Sequence, residues 1–97
     1  MSEFTTVWKI QVDLDRLDIR DRVTCEMPKG SEIVHVAPQG YARLIEFWVR
    51  VDTDAPREVR EFRVAGTGHP LVAQEHYLGT THADGLVWHL FEVVSDV

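Results

Sequence analysis

A chain of 97 residues and 11.1 kDa has the size of one small domain, here taken as residues 1–97. Such a domain buries about two-thirds of its unfolded surface, so modest stability or association of chains is expected. Sixteen Asp and Glu against ten Lys and Arg leave a net charge of -6, which disfavours broad, nonspecific nucleic-acid binding. No apolar run approaches the ~18 residues of a membrane span, and no secretory leader is visible. The single cysteine, Cys25, fits a reducing compartment. The expected location is therefore the cytoplasm of a host cell, or a virion.

Strand-like segments follow one another through the chain. Thr5 to Val12 alternates, with Trp8, Ile10 and Val12 on one face and Val7, Lys9 and Gln11 on the other. Asp13 to Arg22 is charged and reads as a short helical turn or a long loop. Val23, Cys25 and Met27 then share a face, up to the turn Pro28-Lys29-Gly30. Ile33 to Ala37 is the next strand, ended by Pro38-Gln39-Gly40. In Tyr41 to Val51, Ile45, Phe47, Val49 and Val51 oppose Leu44, Glu46, Trp48 and Arg50. Asp52 to Pro56 reads as a hairpin connection into Val59 to Ala65.

The loop Gly66-Thr67-Gly68-His69-Pro70 comes next, followed by an irregular stretch from Leu71 to His76. A short strand around Tyr77-Leu78-Gly79 and a turn over Thr80 to Gly85 precede the last strand, Leu86 to Val94. That strand is apolar on both faces, so it is either central and covered on both sides or buried between subunits. Regular turn signals between short strands predict an all-β fold, a small antiparallel β-sandwich or open barrel of about six to seven strands.

Metal and nucleophile chemistry find little footing. Asp13 to Asp18 lacks the glycine and the bidentate Glu of a calcium loop. His35 and His89 sit in strands among apolar neighbours and read as packed, hydrogen-bonded histidines. His69, His76 and His82 fall in predicted loops, without zinc-ligand spacing. Cys25 alternates inward and reads as an inert core thiol. No serine has a nucleophile-elbow context. The expectation is a non-enzyme with no catalytic residue, no metal and no cofactor.

Binding is the better prospect. The loop at Gly66, Thr67, Gly68 and His69 allows a turn, or a nest of N–H groups for an anion. It is too short for a P-loop or a dinucleotide fingerprint. Arg63 lies just upstream, and on a strand it shares a face with Arg57 but not with Arg60. Trp48, with Arg50 beside it, is the best aromatic for stacking on a base.

Certain residues together carry a resemblance. They are Trp8-Lys9, Glu26 to Gly30, Ile33 to Val36, Trp48-Val49, Val51-Asp52, Ala55-Pro56, Arg60 to Val64, Gly66 to Pro70, Tyr77 to Thr80 and Gly85 to Glu92. The chain resembles an uncharacterised family of short proteins found in bacteriophages and in actinobacterial genomes, marked by the Gly-Thr-Gly-His-Pro motif. The resemblance implies a phage or prophage origin and supplies no catalytic residue. The resulting expectation is a phage-type binder of a phosphorylated small molecule, such as a host immune-signalling nucleotide. Its site would use Gly66, Thr67, Gly68, His69, Arg63, Trp48 and Arg50, shared between subunits of a homo-oligomer. The alternatives are a minor virion or assembly protein, and a protein-binding inhibitor of a host factor.

Overall fold

The computed structural model describes residues 4–38, 43–71 and 75–94. Seven strands are present: β1 (Thr6–Asp13), β2 (Arg22–Pro28), β3 (Glu32–Pro38), β4 (Leu44–Val51), β5 (Arg57–Gly66), β6 (Glu75–Ala83) and β7 (Leu86–Val93). A single 3-10 turn, Leu14–Arg16, follows β1. The strands form two antiparallel sheets, one ordered β1-β4-β3 and the other β2-β5-β7-β6. This is the expected all-β fold, with a shared core between the sheets. No described helix is long and apolar enough to cross a membrane.

Period-two alternation decides which side chains enter that core. Ile45, Phe47, Val49 and Val51 of β4 are fully buried, as are Met27, Phe62 and Val64 from the facing sheet. Phe47 and Phe62 meet across the interior with ring centroids 5.1 Å apart. Full burial of one such ring contributes roughly 1.5–3 kcal/mol. Trp8 and Trp88 pack against the same cluster, and Trp88 Nε1 donates to the Ala83 carbonyl at 2.9 Å.

The connections differ from the sequence expectation in two places. Asp52 to Pro56 is not a hairpin, because β4 and β5 lie in different sheets. The segment crosses between them, held by Ala55 N–H to the Asp52 carbonyl and by Asp54 N–H to Asp52 Oδ1, both 3.0 Å. Such Asx turns look alike in sequence whichever sheet the chain enters next. The second difference is β6, which continues through Ala83. The turn is only Asp84-Gly85, with φ of 53° and 72°, as a two-residue hairpin demands.

The charged stretch between β1 and β2 is organised by one carboxylate. Asp18 Oδ1 accepts the N–H groups of Arg20 at 2.7 Å and Arg22 at 3.0 Å. The Arg22 and Arg20 backbone donors hold the Asp18 carboxyl below its usual range. Arg43 then ties this region to the β6–β7 turn, bonding Asp15 and Asp84 at 2.7 Å each.

Two β-bulges set what the outer faces carry. In β3 the register shifts between Ile33 and His35, and in β6 between Tyr77 and Gly79. Each extra residue turns the following side chains to the other side of the sheet. At the corner where β3 meets β6, a Cβ on Gly79 would lie 3.0 Å from Val36 Cβ. Glycine is required there for close approach.

The turn at Gln39-Gly40, the Tyr41 start of the fourth segment, and residues 72–74 lie outside the described residues.

Candidate functional site

β5 and β6 both pair with β7 and flank it, so the chain joining them must pass across the sheet. Its described part, Gly66 to Leu71, lies on the outer face beside Ala65, His89 and Phe91. This explains how β7 can be apolar on both sides within one chain. Leu90 enters the core, while Phe91 on the opposite face is only 8% exposed. Tyr77 packs edge-on against Phe91, with centroids 5.7 Å apart. Of the two expectations for this strand, it is the central, covered one.

The loop is a tight turn. His69 N–H donates to the Gly66 carbonyl at 3.0 Å, and Gly68 has a φ of 93°, the third-position geometry that favours glycine. Gly66 serves a different purpose. Its N–H donates to His69 Nδ1 at 3.1 Å, and a Cβ there would lie 3.2 Å from the ring's Cε1. The histidine therefore folds back onto the glycine. Thr67 N–H points to the Val87 carbonyl at 3.4 Å.

Three N–H groups of the motif are thus taken up inside the chain. They do not converge on an anion as a nest would. The recognition capacity of the loop resides in its side chains instead. With Nδ1 accepting from Gly66, the neutral His69 ring carries its proton on Nε2 and is a donor there. Asp21 Oδ2 lies 3.9 Å from the same Nδ1.

Beside His69 is a cavity of about 260 Å³ lined by Ala65, Gly66, Thr67, Gly68, His69, Leu71, His89 and Phe91. His89 stands at its base, half-buried and hydrogen-bonded, as the sequence suggests for this residue. Its Nε2 bonds Thr67 Oγ1 and its Nδ1 bonds Thr80 Oγ1, both at 3.0 Å. Thr80 Oγ1 in turn meets the Tyr77 hydroxyl at 2.5 Å. The β6 bulge places Tyr77 and Thr80 on the same side. Among the described residues the group that orients His89 through Nδ1 is the Thr80 hydroxyl, not a carboxylate.

Arg63 and Arg60 are committed elsewhere. Arg63 is 7% exposed, its guanidinium donating to Glu75 Oε1 at 3.1 Å and to the Pro70 carbonyl at 2.6 Å. It fastens the loop to the sheet and is not presented to solvent as a charge. Arg60 faces the opposite side of β5. It grips Glu92 with two bonds of 2.6 and 2.7 Å and reaches the Ser31 carbonyl at 2.5 Å. The pairing with Glu92 raises the Arg60 guanidinium above its ordinary value.

Trp48 and Arg50 lie on β4, in the other sheet, and are not part of this cavity. Trp48 contacts the ring of His35, with centroids 5.6 Å apart. Arg50 pairs with Glu32. His35 is exposed, contrary to the expectation of a packed histidine, because the β3 bulge turns it outward. His76 and His82 are strand residues of β6, not loop residues. Among the described residues no group of three or more metal-ligating side chains assembles. Burial raises the Cys25 thiol above its ordinary value, which disfavours the reactive thiolate.

Sequence reasoning missed Leu71, Tyr77, Glu75, Thr80, His89 and Phe91 as a group. The one available signal was Gly79, an isolated strand glycine that marks a bulge.

No curated protein and no solved structure matches the chain. A family model does match, over residues 4–97. Spanning all but the first three residues, that match shows that the chain belongs to the family of DUF7352, a domain of unknown function.

Proposed function

We propose that this protein is a non-enzymatic small-molecule-binding domain whose site is the cavity between the Gly66 to Leu71 segment and β7. The observation that carries the reading is the Gly66 N–H to His69 Nδ1 bond, which makes Nε2 the donating nitrogen of a residue that lines the cavity. Thr67 adds a hydroxyl, and the exposed Leu71 supplies apolar surface beside the buried Ala65 and Phe91. Donors beside an apolar surface suit a ligand with a planar ring and an acceptor-rich group. A phosphorylated small molecule belongs to that class, and the phage setting implied by the sequence resemblance makes an immune-signalling nucleotide its concrete version. Arg63 is not a phosphate contact in this reading, because Glu75 and Pro70 occupy it. Trp48 and Arg50 are not part of the site either.

Calorimetry with a panel of cyclic nucleotides and ADP-ribose tests the concrete version. Saturable binding that is lost in Thr67→Val and His69→Ala supports it, and no heat at high protein concentration rejects it.

A second reading rests on the exposed Val59, Leu71 and Tyr77, at 66%, 62% and 59%. In it, the same side of the molecule meets a second copy or a host protein. Light scattering measures self-association directly. A strict monomer removes the homo-oligomer, and pull-down from host lysate tests the host partner.

A further inference from the structure

The outer face of the three-stranded sheet carries a second constellation, independent of the cavity. At its centre is Trp48, on the middle strand of the sheet and half-buried. The register places Lys9 beside it on one side and His35 on the other. Glu46 and Arg50 precede and follow it on the same face of β4. His35 reaches this face only because of the β3 bulge, a device that re-aims side chains next to sites.

The charges here are balanced in pairs. Lys9 Nζ lies 3.2 Å from Glu46 Oε2, and Gln11 Nε2 donates to the same oxygen at 3.0 Å. Arg50 pairs with Glu32 and also lies over the ring of Phe4, 4.7 Å from its centroid. An ionic ligand would find no net field to bind. What the face offers is an aromatic plane, a second ring at Phe4, and side-chain donors and acceptors held in place by their own pairings.

We infer that this face binds a neutral carbohydrate chain, with a sugar ring lying on Trp48. A pyranose has an apolar C–H face that packs on an indole and hydroxyls at its rim that both donate and accept. The exposed Lys9, Gln11 and His35 surround Trp48 where those hydroxyls would lie, with the buried Glu46 holding Lys9 and Gln11 in place. Phe4, beyond Arg50, gives a chain a second ring to rest on. A flat sheet face also suits an extended chain better than a compact ligand.

The test is NMR titration of the full ¹⁵N-labelled chain with cellohexaose, maltohexaose and chitohexaose, following the Trp48 indole N–H. The expected result is a saturable shift of that signal with at least one hexasaccharide, while the Thr67 and His69 amides stay in place. Trp48→Ala abolishes binding. The exposed Gln11→Ala, which leaves the core intact, weakens it at least about threefold, the loss of one hydrogen bond. No shift with any of the three sugars overturns the inference. So does a Trp48 signal that moves with AMP alone, which would mark a nucleobase surface, or binding that persists in Trp48→Ala.

Discussion

The two sheets turn opposite kinds of surface outward. The four-stranded sheet is partly roofed, because the β5–β6 connection must cross β7, and beneath that crossing Arg63, Ala65 and Phe91 are buried. The three-stranded sheet pairs the consecutive antiparallel strands β3 and β4 beside β1 and needs no such crossing. Its Arg50–Glu32 pair stands in solvent near Trp48, and Lys9 reaches from solvent onto the buried Glu46. The same residue types therefore do different work on the two faces. An arginine under the roof is a structural clamp, while an arginine on the open face is a solvated partner.

Substitutions at the two arginines expose this contrast. Arg63→Ala removes a cation from the buried Glu75 carboxylate, where side-chain exposures are 9% and 2%, and it releases the Pro70 carbonyl. A loss of about 3 kcal/mol is expected in urea unfolding. Arg50→Ala is the counterpart on the open face. Its pair with Glu32 is 46% and 51% exposed, so stability changes by no more than about 0.5 kcal/mol. Equal losses at the two sites would erase the distinction.

Gly79→Ala tests the corner from which both bulges depart. Its new Cβ meets the Val36 side chain at 3.0 Å, an overpacking expected to cost about 1–3 kcal/mol, read from the same denaturation curves. Gly66→Ala acts on the roof alone. It pushes the His69 ring away from the backbone at a cost of about 1 kcal/mol, because His69 is exposed and able to swing outward. Hydrogen exchange at Gly68 and His69 should accelerate, with the β1-β4-β3 amides unchanged.

Much of this contrast was legible from the residues, but not all of it. Alternation alone separated Ile45, Phe47, Val49 and Val51, which enter the core, from Glu46, Trp48 and Arg50 on the outer face. It also placed Arg60 opposite Arg57 and Arg63. Two things defeat alternation. A bulge resets the parity, so His35 was read as packed and proved exposed. A crossing hides in turn chemistry, so Asp52 to Pro56 looked like a hairpin. The cavity was half visible. Gly66 to His69 stood out as a motif, but its partners His89 and Phe91 come from β7, 20 or more residues later, and are brought there only by strand order. Gly66 and Gly68 looked equivalent in sequence, yet one provides close approach to an imidazole and the other a positive φ.

The central claim is that all three bonded backbone donors of the loop are satisfied within the chain, Gly66 N–H by its own histidine and the other two by the Gly66 and Val87 carbonyls, which leaves the imidazole rather than the backbone to meet a ligand. A long-range ¹H–¹⁵N NMR spectrum of the histidine rings reads this directly at about pH 8, above the ordinary imidazole value of about 6.5. The account predicts His69 as the neutral ring protonated on Nε2, with Nδ1 accepting from Gly66. A His69 ring protonated on Nδ1 would contradict it.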